Sequence, residues 1–295
     1  MNKNKDEYLF YAEITKGNTF KVLIDTLANI FPKTTFKVDE NGFYHRKKDE
    51  KDWVLFDVEF PRNNFLEFHC QNEFYFMVDL KHLQRMVKTI KKKDNLVIFI
   101  DNDEYDDKYY FNISIGQSSS NTNLQKVEMN GIVIRVLNIE DEDDTFEDIY
   151  DENLPDDIDD DDIIKYNYNM SIPSSDFSKV KKMSSLCKYI TIGIQGNNYA
   201  TFKYGSDIVY KQKIEFGNIV HNEDGDCENY YEEEFNKDSI TSLTKLCGLC
   251  DQINFYAPYY KYSPLKIELS AGKLGTVKIF VKDQMTIQHD KDMNE

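Results

Sequence analysis

The chain is 295 residues long, 40% hydrophobic and 14% aromatic, with 53 Asp and Glu against 36 Lys and Arg for a net charge of −17. That length and apolar content fit two domains rather than one core. No apolar run approaches membrane-spanning length, and the opening Met1-Asn-Lys-Asn-Lys-Asp6 lacks the apolar stretch of a secretory signal, so a soluble intracellular protein with no membrane contact is expected.

The acid is unevenly placed. Residues 138–164 hold fifteen Asp and Glu with no Lys or Arg, and residues 222–234 hold seven more. Without those twenty-two acids the −17 of the whole becomes +5 for the remainder. Surface fields follow local charge, so the acidic total does not exclude a polyanionic partner.

In chain order, residues 8–14 have the aromatic and apolar character of a strand. Asn18 then opens a helix whose Phe20, Leu23, Ile24, Leu27 and Ile30 recur at helical spacing. Strand-like segments follow at 34–38, 53–60, 65–70 and 74–78, then a helix at 80–90 and strands at 95–100, 109–115 and 131–137. Like charge and low apolar content make 138–165 an extended acidic linker, punctuated by Phe146, Ile149, Tyr150 and Leu154-Pro155. The order then recurs. A strand at 166–172 leads to a helix opened by Pro173-Ser-Ser-Asp-Phe177 and carrying Phe177, Val180, Met183 and Leu186. Strands at 189–194, 199–204 and 208–216, a helix at 238–250 and strands at 252–256, 265–269 and 276–281 complete the plan. The expected fold class is α+β: two like domains, 1–137 and 166–295, each an antiparallel sheet with two helices, joined by the linker 138–165.

Positive charge falls on the expected helices. Lys81, Arg85, Lys88 and Lys92 stand at i, i+4, i+7 and i+11, opposite Leu80, Leu83, Met86, Val87 and Ile90. Lys179 and Lys182 are three apart on the third helix, and Lys21 and Lys245 occupy polar positions of the first and fourth. One such face is ordinary solvated surface; four in so acidic a chain point to a polyanion.

Signatures of catalysis are missing: there is no phosphate loop, no G-x-G-x-x-G, no H-E-x-x-H and no G-x-S-x-G. The five cysteines, 70, 187, 227, 247 and 250, are odd in number and irregularly spaced, unlike a disulfide framework. Cys247-Gly-Leu-Cys250 has no second pair and no H-x3-H to complete a zinc site, so it reads as helix core. The run 156–162 lacks the glycine turn and terminal Glu of a calcium loop. No enzyme activity, catalytic residue, cofactor or metal is expected; a binding or scaffolding role is.

Several segments, taken in order, resemble the DNA polymerase sliding clamps of the proliferating cell nuclear antigen (PCNA) family. Leu9-Phe-Tyr-Ala-Glu-Ile-Thr-Lys-Gly17 running into Phe20-Lys-Val-Leu-Ile-Asp-Thr-Leu27 is similar to the family's opening strand and helix. Phe68-His-Cys-Gln-Asn-Glu-Phe-Tyr-Phe-Met-Val-Asp-Leu80 with Leu83-Gln-Arg-Met-Val-Lys88 is similar to its most recognisable segment. Ser171-Ile-Pro-Ser-Ser-Asp-Phe177, Ser263-Pro-Leu-Lys-Ile267 and Gly275-Thr-Val-Lys-Ile-Phe-Val281 match the start and end of its second domain.

The resemblance implies a head-to-tail homotrimeric ring encircling duplex DNA without regard to sequence. Its outer face would tether a polymerase, a clamp loader and other proteins bearing a clamp-binding peptide, in DNA replication and repair. Lys21, Lys81, Arg85, Lys88, Lys179, Lys182 and Lys245 would be DNA-facing. Trp53, Leu55, Leu154, Pro155, Pro264 and Phe280 would build the partner pocket under the interdomain loop, and Ile134 and Val209 would lie on the strands that pair neighbouring subunits. Arg46, Lys47 and Lys48 stand where the family places small or apolar residues, and Val281-Lys-Asp283 lacks its usual small residue and Pro. Two other readings stand beside this one: a subunit of a heterotrimeric checkpoint-type clamp, and an acidic histone-chaperone-like or DNA-mimic protein. The Asn- and Lys-rich composition fits a large DNA virus or an AT-rich protist, with a nuclear or a cytoplasmic viral replication site.

Overall fold

The computed structural model describes residues 7–102, 108–117, 126–137, 166–183, 187–206, 210–218 and 230–293. The chain divides into two compact units, one of residues 1–47, 57–146 and 270–277 and one of residues 48–56, 147–269 and 278–295. The expected linker 138–165, with Leu154 and Pro155, lies outside the described residues, and so does Val209.

The first half comprises β1 (Tyr8–Ile14), α1 (Asn18–Ile30), β2 (Lys33–Val38), β3 (Gly42–Lys48), β4 (Val54–Pro61), β5 (Glu67–Cys70), β6 (Phe74–Asp79), α2 (Leu80–Val87), β7 (Asn95–Asp101), β8 (Tyr109–Gln117) and β9 (Lys126–Leu137). Within the first unit the strands run antiparallel in the order β3-β2-β6-β9-β8-β7-β1-β5. Alternation sets which face is buried: β1 turns Phe10, Ala12 and Ile14 inward, and the register Ala12↔Ile98 puts β7's Ile98 beside them. The core is rich in phenylalanine, with Phe36 and Phe43 at 4.9 Å and Phe76 and Phe111 at 5.3 Å between ring centroids. Helix α1 adds Phe20, Leu23, Ile24 and Leu27 and stops at extended Phe31, ahead of Pro32. Gly17, before α1, is demanded by close approach: a Cβ there would sit 2.8 Å from Leu96 Cβ.

The second half comprises β10 (Tyr166–Pro173), α3 (Ser174–Phe177), α4 (Val180–Met183), β11 (Tyr189–Gln195), β12 (Tyr199–Ser206), β13 (Tyr210–Gly217), β14 (Tyr230–Asn236), α5 (Lys237–Leu243), β15 (Gln252–Pro258), β16 (Leu265–Ala271), β17 (Gly275–Val281) and α6 (Gln284–Met293). In the second unit β13-β12-β11-β14 form one antiparallel sheet, and β15 pairs with β10 and β16. Phenylalanine again fills the core: Phe255 lies 5.4 Å from Phe177 and 5.8 Å from Phe202.

Three elements were not foreseen. In β3 the charges of Arg46, Lys47 and Lys48 mask an alternation that buries Phe43 and His45. In β14 the run Glu232-Glu-Glu234 hides a strand whose Phe235 is buried while Glu232 and Glu234 face out. Helix α6 has only one apolar anchor, Ile287. The single helix expected from Pro173 to Leu186 is two short pieces, because the Lys179 amide bonds to Asp176 O in a tight turn instead of continuing the i−4 ladder. The helix expected at 238–250 ends at Leu243 and continues as a 3₁₀ turn, Thr244–Gly248.

Candidate nucleic-acid interface and peptide pocket

Helix α2 carries the densest basic face. Leu80, Leu83 and Val87 are buried, while Lys81, Arg85 and Lys88 are exposed on the opposite side. The helix starts at Asp79, whose carboxylate accepts from the His82 amide at 2.9 Å and lies 3.0 Å from the His82 ring Nδ1. The bond from the His82 amide is the main reason the Asp79 carboxyl titrates below its usual range. Its other end is closed from α1: the Lys21 ammonium donates to Lys88 O at 2.7 Å and to Ile90 O at 3.0 Å. A cation on the terminal carbonyls complements the helix dipole and holds α1 to α2. Lys21 is therefore tethered, and the three outward cations are Lys81, Arg85 and Lys88. Lys92 belongs to the turn after α2, fixed by the Lys91 amide donating to the Asp94 carboxylate at 2.8 Å.

The second unit presents its cations on weaker scaffolds. Lys179 is exposed in the turn between α3 and α4 and is ion-paired with Asp176 at 2.5 Å. Lys182 lies on α4, and Lys245 is exposed on the turn after α5. Asn236 caps α5 by accepting from the Asp238 amide at 2.9 Å.

Among the residues expected to build the partner pocket, Trp53 and Phe280 are half-buried, and Pro264 and Leu55 are buried, Leu55 at the start of β4. The Asp49 carboxylate accepts from the Trp53 and Val54 amides at 2.7 and 2.9 Å, and the Lys282 amide donates to Trp53 O at 2.9 Å. The Lys51 ammonium sits 4.7 Å from the Trp53 ring centroid. Tyr166 reaches Pro264 O at 3.4 Å, and burial raises its phenol pKa. The structure thus brings Trp53 together with the strand end that follows Phe280, within the second unit.

Two of the strand edges left open among the described residues lie on the strands expected to pair subunits. Strand β9 pairs with β8 along 126–134 but with β6 only along 135–137, and β13 is the outer strand of its sheet. Ile134 is 6% exposed and serves the unit's own core; Met129 and Val133, 64% and 49% exposed, are the outward apolar residues of β9. Alternation along Met129-Asn-Gly-Ile-Val-Ile134 was the signal for them. Among the described residues no three His, Cys, Asp or Glu are grouped to hold a metal. The Cys247 thiol is pushed up to about 11, chiefly by burial, but the pair is not helix core: both cysteines are half-buried, Cys247 on the 3₁₀ turn and Cys250 beyond it, its Sγ 3.6 Å from Ser174 Oγ.

Residues 9–136 match the family described as proliferating cell nuclear antigen, N-terminal domain. The first half of the chain is thus similar to the N-terminal domain of the PCNA family. Relatives include the DNA polymerase sliding clamp of Pyrococcus horikoshii, 32% identical over 79 residues, 27% of this chain and 32% of that protein. The DNA polymerase sliding clamp of Cenarchaeum symbiosum is 23% identical over 94 residues, 32% and 38% of the two chains. These alignments span about a third of the curated relatives' length. Among solved structures, the proliferating cellular nuclear antigen of Entamoeba histolytica shares the fold at a TM-score of 0.71 and 18% identity, over 94% of this chain and 99% of that one.

Proposed function

We propose that this chain is a DNA sliding clamp, three copies of which close head to tail around duplex DNA and hold a polymerase to its template. The observation that carries the reading is the exposed row Lys81, Arg85 and Lys88 on a capped helix whose other face is buried. Flexible cations on a rigid helix attract phosphates without engaging base edges, which gives binding that is indifferent to sequence and free to slide. The open edges of β9 and β13 supply the joint: an unpaired strand invites another, and a head-to-tail contact that closes makes a ring. The role is topological and needs no catalytic group. On the outer face, Trp53, Pro264 and Phe280 form the pocket for a partner peptide carrying an aliphatic residue and paired aromatics. The acids of 138–164 speed capture of peptides with basic flanks, since charge acts mainly on association.

A ring reaches linear duplex by threading over its ends, without a loader. Cross-linking to linear DNA with free ends, and loss of the cross-link when both biotinylated ends are capped with streptavidin, is the expected result. A protein bound along the groove would cross-link equally to both, and the reading would fail.

A further inference from the structure

Helix α6 is fastened beside the residues proposed above to form the peptide pocket. The Lys282 ammonium, only 17% exposed, reaches Asp52, the neighbour of Trp53, at 2.6 Å and Asp290 of α6 at 2.8 Å. On the other flank Tyr262, two residues before Pro264, stacks on His289 of α6, with ring centroids 4.2 Å and planes 15° apart. The helix begins just after β17, which carries Phe280. It is therefore tied to the chain beside three of the pocket residues, all within the second unit.

The docking is weakly made. With 10 residues, α6 is shorter than an isolated helix needs to hold itself in water. It packs on β14, buries Thr286 and Ile287, and leaves Met285 and Met293 exposed. The Asp283 carboxylate caps it, accepting from the Thr286 amide at 2.8 Å and the Thr286 hydroxyl at 2.9 Å. Against these contacts, Gln284 Nε2 and the Tyr231 hydroxyl of β14 are buried with no hydrogen-bond partner among the described residues, each bearing the cost of lost hydration. Glu233 of β14 is raised by burial and then by the nearby Asp283 carboxylate, so two acids oppose each other at the base of the helix. Elements held this loosely open locally, ahead of global unfolding.

We propose that α6 is a gate on the pocket. Docked, it closes the rim between Asp52 and Tyr262; released, it admits a peptide with an aliphatic residue, paired aromatics and a basic flank. The flank meets Asp52, Glu233 and Asp283, and peptide and helix exclude one another. The inference rests on the pocket reading above. Exclusion weakens apparent affinity by the fraction of chains with α6 released.

The test uses the full chain and a fluorescent synthetic peptide with one aliphatic residue, two aromatics and flanking lysines. Anisotropy should show the double variant His289→Ala, Asp290→Ala binding about fivefold tighter than wild type, and Lys282→Ala shifted the same way. Hydrogen exchange in α6 should quicken when peptide saturates the wild-type chain. Slower exchange in α6 would make the helix a wall of the pocket and overturn the gate, as would unchanged affinity in both variants. Absence of binding to wild type and variants alike would remove the pocket reading itself, and the gate with it.

Discussion

In the first unit the cations stand on α2, a helix capped by Asp79, closed by Lys21 from α1 and backed by Leu80, Leu83 and Val87. In the second unit the counterpart of α1 is broken between α3 and α4, where Lys179 pairs with Asp176, and the counterpart of α2, α5, ends at Leu243 with Lys245 on the 3₁₀ turn beyond it. The units share a plan and a phenylalanine core, yet one builds a rigid charged rail and the other scattered cations. The match of residues 9–136 to the family lies in the half that keeps the rail. In the proposed clamp, attraction for phosphate is thus carried unequally by two architectures of the same kind.

The sharpest way to break that comparison is to reverse charge on each side in turn. Arg85→Glu with Lys88→Glu should cut cross-linking to open-ended DNA more than tenfold and flatten its salt dependence by roughly two phosphate contacts. Lys179→Glu should lower it by less than about twofold, because a paired cation has less to give. Equal losses would mean that the units contribute alike.

The two faces of β9 provide the next contrast. Ile134→Asp places a charge in the core and should destabilise the first unit by more than about 3 kcal/mol in urea unfolding. Val133→Asp, on the outward face, should leave unfolding within about 0.5 kcal/mol and act instead on self-association.

A third effect belongs to the first unit alone. His45 is wholly buried among Phe31 and Phe36, its Nδ1 3.2 Å from Thr35 O, and burial lowers its pKa to about 4. Below the ordinary value of about 6.5 the unfolded chain takes up a proton that the folded one refuses, so stability falls with pH until both forms are protonated. From pH 7 to pH 4 this group should remove roughly 2–3 kcal/mol. His45→Phe should flatten that limb in denaturant curves taken across the range.

The smallest effect concerns caps. Asp79→Ala should cost about 1 kcal/mol and Asn236→Ala a similar amount. Only the first should also weaken DNA cross-linking, because only α2 carries the rail.

Much of this was legible in the chain. Period-two and helical spacing placed β1, α1, β6 and α2 where the structure has them, since each buries a clear apolar face. The family match of the first half was legible from local runs such as Phe68 to Leu80. The pairing of Lys21 with the carbonyls of Lys88 and Ile90 was not, because contacts across 67 and 69 residues leave no local pattern. Strand β14 was hidden because its outward positions are glutamates in an acidic run, and α6 because its cap and latch, Asp283 and Lys282, look like departures from the family until their partners are known. At Ile134 the pattern identified the strand but not that this residue faces the unit's own core.

The central claim is a ring made by three copies of this chain. Light scattering on the purified protein at tens of micromolar, within the usual range for specific interfaces, tests it directly. The account predicts three times the chain mass of 34.8 kDa, falling toward one chain in Val133→Asp. A wild-type protein that stays at 34.8 kDa would contradict it.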